Sequence, residues 1–346
     1  MKKYYGIELL RFLTSLSIIF YHYRLFFEPF NTFSINNFPT NINDLPFNSI
    51  LEIFYISGIF GVPVFWSISG FVFSYVYLSS HKKTKYKEFF VNRFARLYPL
   101  HFATLIIVLI LQYISLTNFN FFQFELINDL YHFILQIFFI SAWGFEEGHS
   151  FNSPIWSVSV EIAIYIVFFL LIKKIKQHKV YLVLILTILL TLVGKYSGFN
   201  SNFLDCARLF FSGILVFYLC KKNKHIVYLN ITSIFFIIVS FVGNFKLFIF
   251  CPMLLMFFVT IEPAIKVNKI KSLFENLGDL TYSLYLIHVP FQILIVLVIG
   301  YLNLADTIFQ STLFFILYLI STTIMAHYSF KYYEYPLNNF FRRKLT

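Results

Sequence analysis

Residues 9–26, LLRFLTSLSIIFYHYRLF, set Arg11, His22 and Arg24 into a run that is otherwise apolar enough for a bilayer. Ionisable side chains at membrane depth are costly and turn toward a protein interior or a wet cavity rather than toward lipid. The stretch therefore reads as a helix within a bundle of membrane helices. Eleven positions separate Arg11 from His22. At 100° per residue that is within about 20° of a whole number of turns, so both side chains leave one face, about 16 Å apart along the axis. Glu8 lies one turn before Arg11 and can pair with it. Glu8, Arg11, Ser15 and His22 thus make a polar seam facing the bundle.

The rest of the chain fits that reading. Of 346 residues, 59% are hydrophobic, 22% aromatic and only 12% charged, and the 49 phenylalanines exceed what one globular core can hide. The apolar stretches are long and continuous rather than alternating, which argues for an all-α polytopic membrane protein and against a β-barrel. The net charge of +11 would suggest nucleic acid in a soluble protein. Here the basic residues cluster in short loops between apolar segments, so they read as orientation signals, with membrane lipids as partners and no nucleic acid. Cys206, Cys220 and Cys251 share no metal-like or redox spacing and read as small packing residues. The N-terminus has a basic start but no small-residue cleavage site, as expected of an uncleaved first helix.

Apolar segments fall at 7–27, 53–78, 99–116, 130–142, 155–172, 180–193, 204–219, 226–242, 247–260, 280–300 and 309–330. The segment 130–142 is too short to span comfortably, since a crossing takes about 20 residues. Treating it as re-entrant or interfacial leaves about ten transmembrane helices, and the charges then sort cleanly. One side holds Lys2, Lys3 and the basic runs of 82–96, 173–179, 221–224, 266–271 and 331–344, which together carry 22 of the 27 Lys and Arg. The positive-inside rule makes that side, with both termini, cytoplasmic. The long non-cytoplasmic loops are then 28–52 and 117–154, and no repeat or linker divides the single membrane-embedded domain, 1–346.

Several motifs occur in order along the chain. Arg11 and His22 are followed by GVPVFWSISGF (61–71), NRFARLYPL (92–100), PIWSVSVEIAIYIVFF (154–169), LGDLTYSLYLIHVP (277–290) and YYEYPL (332–337). Together they resemble the acyltransferase-3 family of membrane sugar O-acyltransferases. The sequence departs from that pattern in Glu8, where aspartate is common, and in Pro63-Val64. No serine-hydrolase-like soluble segment follows, which favours transfer within the membrane domain. The resemblance implies His22 and Glu161 as catalytic residues and Arg11, Arg93 and Arg96 as acyl-CoA-binding residues. Glu8, Ser69, Trp156, Ser159, Tyr282, Ser283 and His288 would support them. It implies acetyl-CoA, or another acyl-CoA, as donor substrate with no permanently bound cofactor and no metal. The acceptor would be a cell-envelope polysaccharide or lipid-linked sugar, and the location a bacterial-type inner (cell) membrane.

The residues carry part of this independently. Arg93 and Arg96, at i and i+3 by the cytoplasmic face, share a helix face and suit bidentate contacts to phosphate; an ordinary positive-inside loop is the alternative. His22 and Glu161 count to similar depths, and a His–carboxylate pair can take the proton of an attacking hydroxyl. A packed interior role for His22, and a backbone-acceptor role for Glu161, remain open on sequence. His288 counts as deeper toward the cytoplasm, either lining the donor path or simply packed. A transporter or flippase for a lipid-linked sugar or polar solute is the reading from another class. It would call for matching halves with broken helices, which the sequence does not display.

Overall fold

The computed structural model describes residues 3–27, 42–80, 85–196, 202–222, 226–242 and 247–345. Lys2, most of the 28–52 loop, His81, Lys82, Lys83, Lys224, His225 and Lys246 lie outside them. The described residues form helices and no strand. In chain order these are α1 (Tyr5–Tyr23), α2 (Asn48–Ser57), α3 (Gly61–Phe73), α4 (Tyr86–Phe119), α5 (Leu130–Ile137), α6 (Ile155–Tyr196) and α7 (Asn202–Lys222). Then follow α8 (Ile226–Val242), α9 (Leu247–Thr260), α10 (Asn268–Asp279), α11 (Thr281–Tyr301), α12 (Thr312–Ser329) and α13 (Tyr335–Leu345). Among them, seven helical segments are long and apolar enough to cross a membrane: Asn48–Leu78, Tyr86–Phe119, Ile155–Gly194, Asn202–Lys221, Leu247–Ala264, Thr281–Tyr301 and Thr312–Leu345.

The outward faces show what solvent these helices are built for. On α8, Tyr228, Ile231, Phe235, Ile238 and Phe241 recur at helical spacing and are all exposed, while Ser233 and Ser240 are buried. That is the reverse of a water-soluble helix, and it suits a surface bathed in hydrocarbon. The buried serines return their hydroxyl hydrogens to the carbonyls of Asn230 and Ile237, both at 2.7 Å, so no polar group is orphaned on the inner face. In α6 the helical path breaks at Lys179 (φ 52°, ψ −133°), within the basic run 173–179.

Contacts group the chain into two compact units, each discontinuous in sequence. The first comprises Met1–Thr14, Phe60–Thr84 and Val160–Asp279; the second comprises Ser15–Ile59, Lys85–Ser159 and Leu280–Thr346. In the first unit α3 packs on α7 and α9, α7 on α9, and α8 on α9. The α3–α7 contact is backbone-close. A Cβ on Gly70 would stand 1.8 Å from the Phe210 carbonyl oxygen, and one on Gly213 would stand 2.0 Å from that of Ser67. The two glycines therefore let each helix sink into the other, the device by which membrane helices gain contact where no hydrophobic force drives them together.

In the second unit α11 packs on α4 and α12, and α13 on α4. Leu105, Val108 and Leu111 of α4 meet Val289, Ile293 and Leu297 of α11, with Phe151 inserted from the connecting segment. Phe133 and Ile137 of α5 rest on this cluster. Helix α5 itself has eight residues, a rise of about 12 Å against a hydrocarbon core of about 30 Å. Asp129 starts it, accepting the His132 backbone N–H at 2.8 Å, and Phe139 ends it in the left-handed region (φ 57°).

Candidate active site

Helix α11 organises the polar interior of the second unit. Pro290 has no N–H, so the carbonyl of Leu286 one turn earlier loses its helical partner. Asn152, wholly buried, supplies the missing donor at 3.0 Å and gives its other hydrogen to Thr104 Oγ1 at 3.0 Å. The proline thus ties the segment before α6 into the bundle at mid-helix. His288 and Gln292 flank it, four residues apart on one face, and both are wholly buried.

Both reach His22. Gln292 Nε2 donates to the His22 carbonyl oxygen at 2.8 Å, and His288 Nε2 lies 3.3 Å from His22 Nδ1. Hydrogen-bond chemistry then assigns the protons. His288 Nδ1 lies 3.1 Å from the Leu284 carbonyl oxygen, which can only accept, so Nδ1 carries the hydrogen and Nε2 the lone pair. By the same logic His22 Nδ1, 3.0 Å from the Ile18 carbonyl oxygen, carries a hydrogen. His22 Nε2 is left as the unprotonated, basic nitrogen. Counting residues along α1 and α11 had set the two histidines at different depths; the structure makes them neighbours.

Toward the start of α11 lies the arginine cluster. Arg96 is ion-paired to Glu334, whose second oxygen accepts the Ser283 hydroxyl at 2.7 Å. The Arg96 guanidinium sits over the Tyr282 ring, 5.9 Å from its centroid, and the Tyr282 hydroxyl donates to the Leu97 carbonyl at 2.6 Å. Glu334 is 2% exposed and Arg96 23%, so the carboxylate is the buried member and needs the cation. It is delivered by a π-helical turn, Phe330–Glu334, whose extra residue re-aims the side chain. Arg93, one turn before Arg96, is half-buried on the same helix. Five residues of α11, a rise of about 7.5 Å, separate Ser283 from His288.

The tryptophan–serine stretch closes the arrangement. Ser157 Oγ and Tyr285 Oη lie 2.7 Å apart, and both reach the Pro154 carbonyl. Ser159 accepts the Ala142 N–H at 3.3 Å, donates to the Phe139 carbonyl at 2.8 Å and receives Trp143 Nε1 on its own carbonyl, pinning the turn after α5. Trp156 is half-buried, its ring 6.1 Å from that of His149.

The first unit holds the remaining sequence candidates. Glu8 and Arg11 are ion-paired at 2.7 Å, and a Cβ on Gly278 would stand 2.0 Å from Glu8 Oε2, so only glycine fits beneath that carboxylate. The Gly6 N–H donates to Glu262 at 3.1 Å, and Ser69 Oγ lies 3.2 Å from Tyr165 Oη. Glu161 is half-buried on α6 within this unit. The structure therefore groups His22 with His288, Arg96 with Tyr282 and Ser283, and Glu8 with Arg11. Glu334, Ser157 and Tyr285 lie inside motifs read from the sequence but were not named as site residues, and Asn152 and Gln292 were passed over. The last two also carried a signal: Gln292 stands one turn from His288, and Pro290 guarantees an orphaned carbonyl that needs a donor such as Asn152.

Comparison with known proteins places the chain among acyltransferases. The chain is 26% identical over 337 residues to the peptidoglycan O-acetyltransferase OatA of Listeria monocytogenes serovar 1/2a, covering 81% of this chain and 51% of that one. It is 30% identical over 129 residues to the acyltransferase MdmB of Streptomyces mycarofaciens, covering 36% of this chain and 32% of the relative. The chain thus spans about half the length of the first relative and about a third of the second. No solved structure gives a significant match. The acyltransferase domain that defines the acyltransferase-3 family matches residues 4–327, and the chain belongs to that family.

Proposed function

We propose that the protein is an integral-membrane O-acyltransferase that moves an acyl group, acetyl in the simplest case, from cytoplasmic acyl-CoA to a hydroxyl of a cell-envelope polysaccharide or lipid-linked sugar. The observation that carries this reading is the basic Nε2 of His22 in a chain of this family. The acceptor hydroxyl gives its proton to Nε2 as its oxygen attacks the thioester carbonyl. The carbon–sulfur bond then breaks, the imidazolium returns the proton to the departing thiolate, and free CoA and an ester result. The family resemblance supports Glu161 as a catalytic carboxylate and Arg11, Arg93 and Arg96 as binders of the donor's phosphates. The Listeria relative's name, a peptidoglycan O-acetyltransferase, supports a glycan as acceptor.

Ten spans within one domain follow when α1 and the 17-residue α8 are added to the seven long segments and α6 is counted as two, divided at Lys179. Both termini are then cytoplasmic in the inner (cell) membrane, with the donor entering from the basic face and the acceptor from the side of residues 117–154. The test is transfer of radiolabelled acetyl from acetyl-CoA to candidate envelope glycans by purified protein. Alkali-labile label on the glycan is expected, with turnover falling by about 100-fold or more in His22→Ala, the scale of general-base catalysis. Unchanged turnover in a folded His22→Ala protein would return that histidine to packing.

A further inference from the structure

We infer that His288 is the positioning residue of the acyl-transfer base: its Nε2 lone pair receives the Nδ1 hydrogen of His22 and so holds His22 Nε2 toward the reacting hydroxyl. The inference rests on the proposed role of His22.

Three observations carry it. First, each histidine has one nitrogen committed to a backbone carbonyl that can only accept, at 3.1 Å for His288 and 3.0 Å for His22, so both protons sit on Nδ1. The one Nδ1 hydrogen of His22 is therefore shared between the Ile18 carbonyl at 3.0 Å and the lone pair of His288 at 3.3 Å, a three-centre bond. Second, the Ile18 carbonyl lies on His22's own helix and moves with it, whereas His288 stands on α11. Only the contact from another helix fixes the ring against the rest of the site. Third, His288 is itself wholly buried, and α11 is locked beside it by Gln292 on the His22 carbonyl and by Asn152 on the carbonyl that Pro290 leaves free.

The same contact acts during turnover. When His22 Nε2 takes the hydroxyl proton, its Nδ1–H becomes a cationic donor, and the bond to His288 strengthens to a charge-assisted one. No proton need pass to His288. The neutral imidazole here does at Nδ1 what a carboxylate does in a His–carboxylate pair, without bringing a negative charge into the bundle. The Nδ1 side of His22 is thereby filled, and Glu161 would act elsewhere in the reaction.

Kinetics and nitrogen NMR of histidine-labelled protein test this together. His288→Leu, close in volume but without the lone pair, is expected to lower kcat by about 10- to 100-fold, the effect of removing groups that orient a working histidine. The KM for acetyl-CoA and for the glycan should stay near that of the wild type. His288→Gln, whose amide oxygen can accept from His22, should recover part of the loss. The spectrum of the wild-type protein should show a protonated Nδ1 on His22 correlated with an unprotonated Nε2 on His288. Unchanged kcat in both variants, or a raised acetyl-CoA KM at constant kcat, would overturn the assignment. So would a protonated Nε2 on His288. If the wild-type protein transfers no acetyl group, the function proposed above fails, while the spectrum still decides the histidine contact.

Discussion

Arg96 holds two positions at once. It is exposed enough to meet a phosphate, yet its guanidinium already serves the buried carboxylate of Glu334, which also takes the Ser283 hydroxyl. Removing one member of such a pair leaves a buried charge poorly compensated, and that penalty usually exceeds the worth of the pair itself. Arg93→Ala is expected to raise the acetyl-CoA KM by about tenfold to a hundredfold, the effect of losing a hydrogen bond to a charged group. Arg96→Ala should raise KM similarly and also lower the unfolding temperature. Adding Glu334→Gln to Arg96→Ala should restore the temperature and leave KM high. Donor kinetics with a thermal melt in detergent distinguishes these outcomes, and an unchanged KM in both arginine variants would confine them to structural roles. The Arg-x-x-Arg spacing was readable in sequence because it is local. Its carboxylate partner lies 238 positions away, and a separation of that size says nothing about contact until the helices are packed.

At the scale of elements, the sequence was most informative where the chain departs from an ordinary helix. The basic run 173–179 marks the break at Lys179, because such a charge density cannot stay in hydrocarbon. The shortness of 130–142 pointed to a short helix, and α5 has only eight residues. The histidine contact was hidden because residue counting assumes parallel, untilted helices and gives no depth for the segment that Asn152 draws in against α11. The α3–α7 crossing was half visible: Ser69-Gly70 stood out as a motif, while Gly213 carried no signal of its own. Its role gives a sharp test. Gly213→Val should push α7 away from α3 and abolish a monodisperse folded protein in detergent, because the obstructing atom is the Ser67 backbone oxygen. Gly144 is the control. It has φ +87° and open space around its Cβ position, so Gly144→Ala meets only backbone strain of about 1 kcal/mol and should keep the fold. Equal tolerance of both substitutions would mean that the close crossing does not hold the first unit together.

The whole molecule turns on which side of the membrane the segment between α4 and α6 faces. Of the 27 Lys and Arg, 22 gather on one side only if residues 117–154 begin and end on the other. A true crossing at 130–142 would send the run 173–179, and every second loop after it, to the opposite face, against the positive-inside bias. Helix α5 rises only about 12 Å, and its Phe133 and Ile137 rest on the cluster formed by α4 and α11. The turn that follows is pinned by Ser159, and Asn152 and Pro154 bring the chain to α11. The segment would thus enter and leave on one side, roofing the approach to His22. Asn120 and Glu147 are both exposed and stand on either side of α5. In a background lacking Cys206, Cys220 and Cys251, single cysteines at both positions should react with a membrane-impermeant thiol reagent added outside the cell. Labelling of Asn120→Cys from outside and of Glu147→Cys only from the cytoplasm would make 130–142 a crossing. The ten-span topology would then fall, and with it the entry of donor and acceptor from opposite faces.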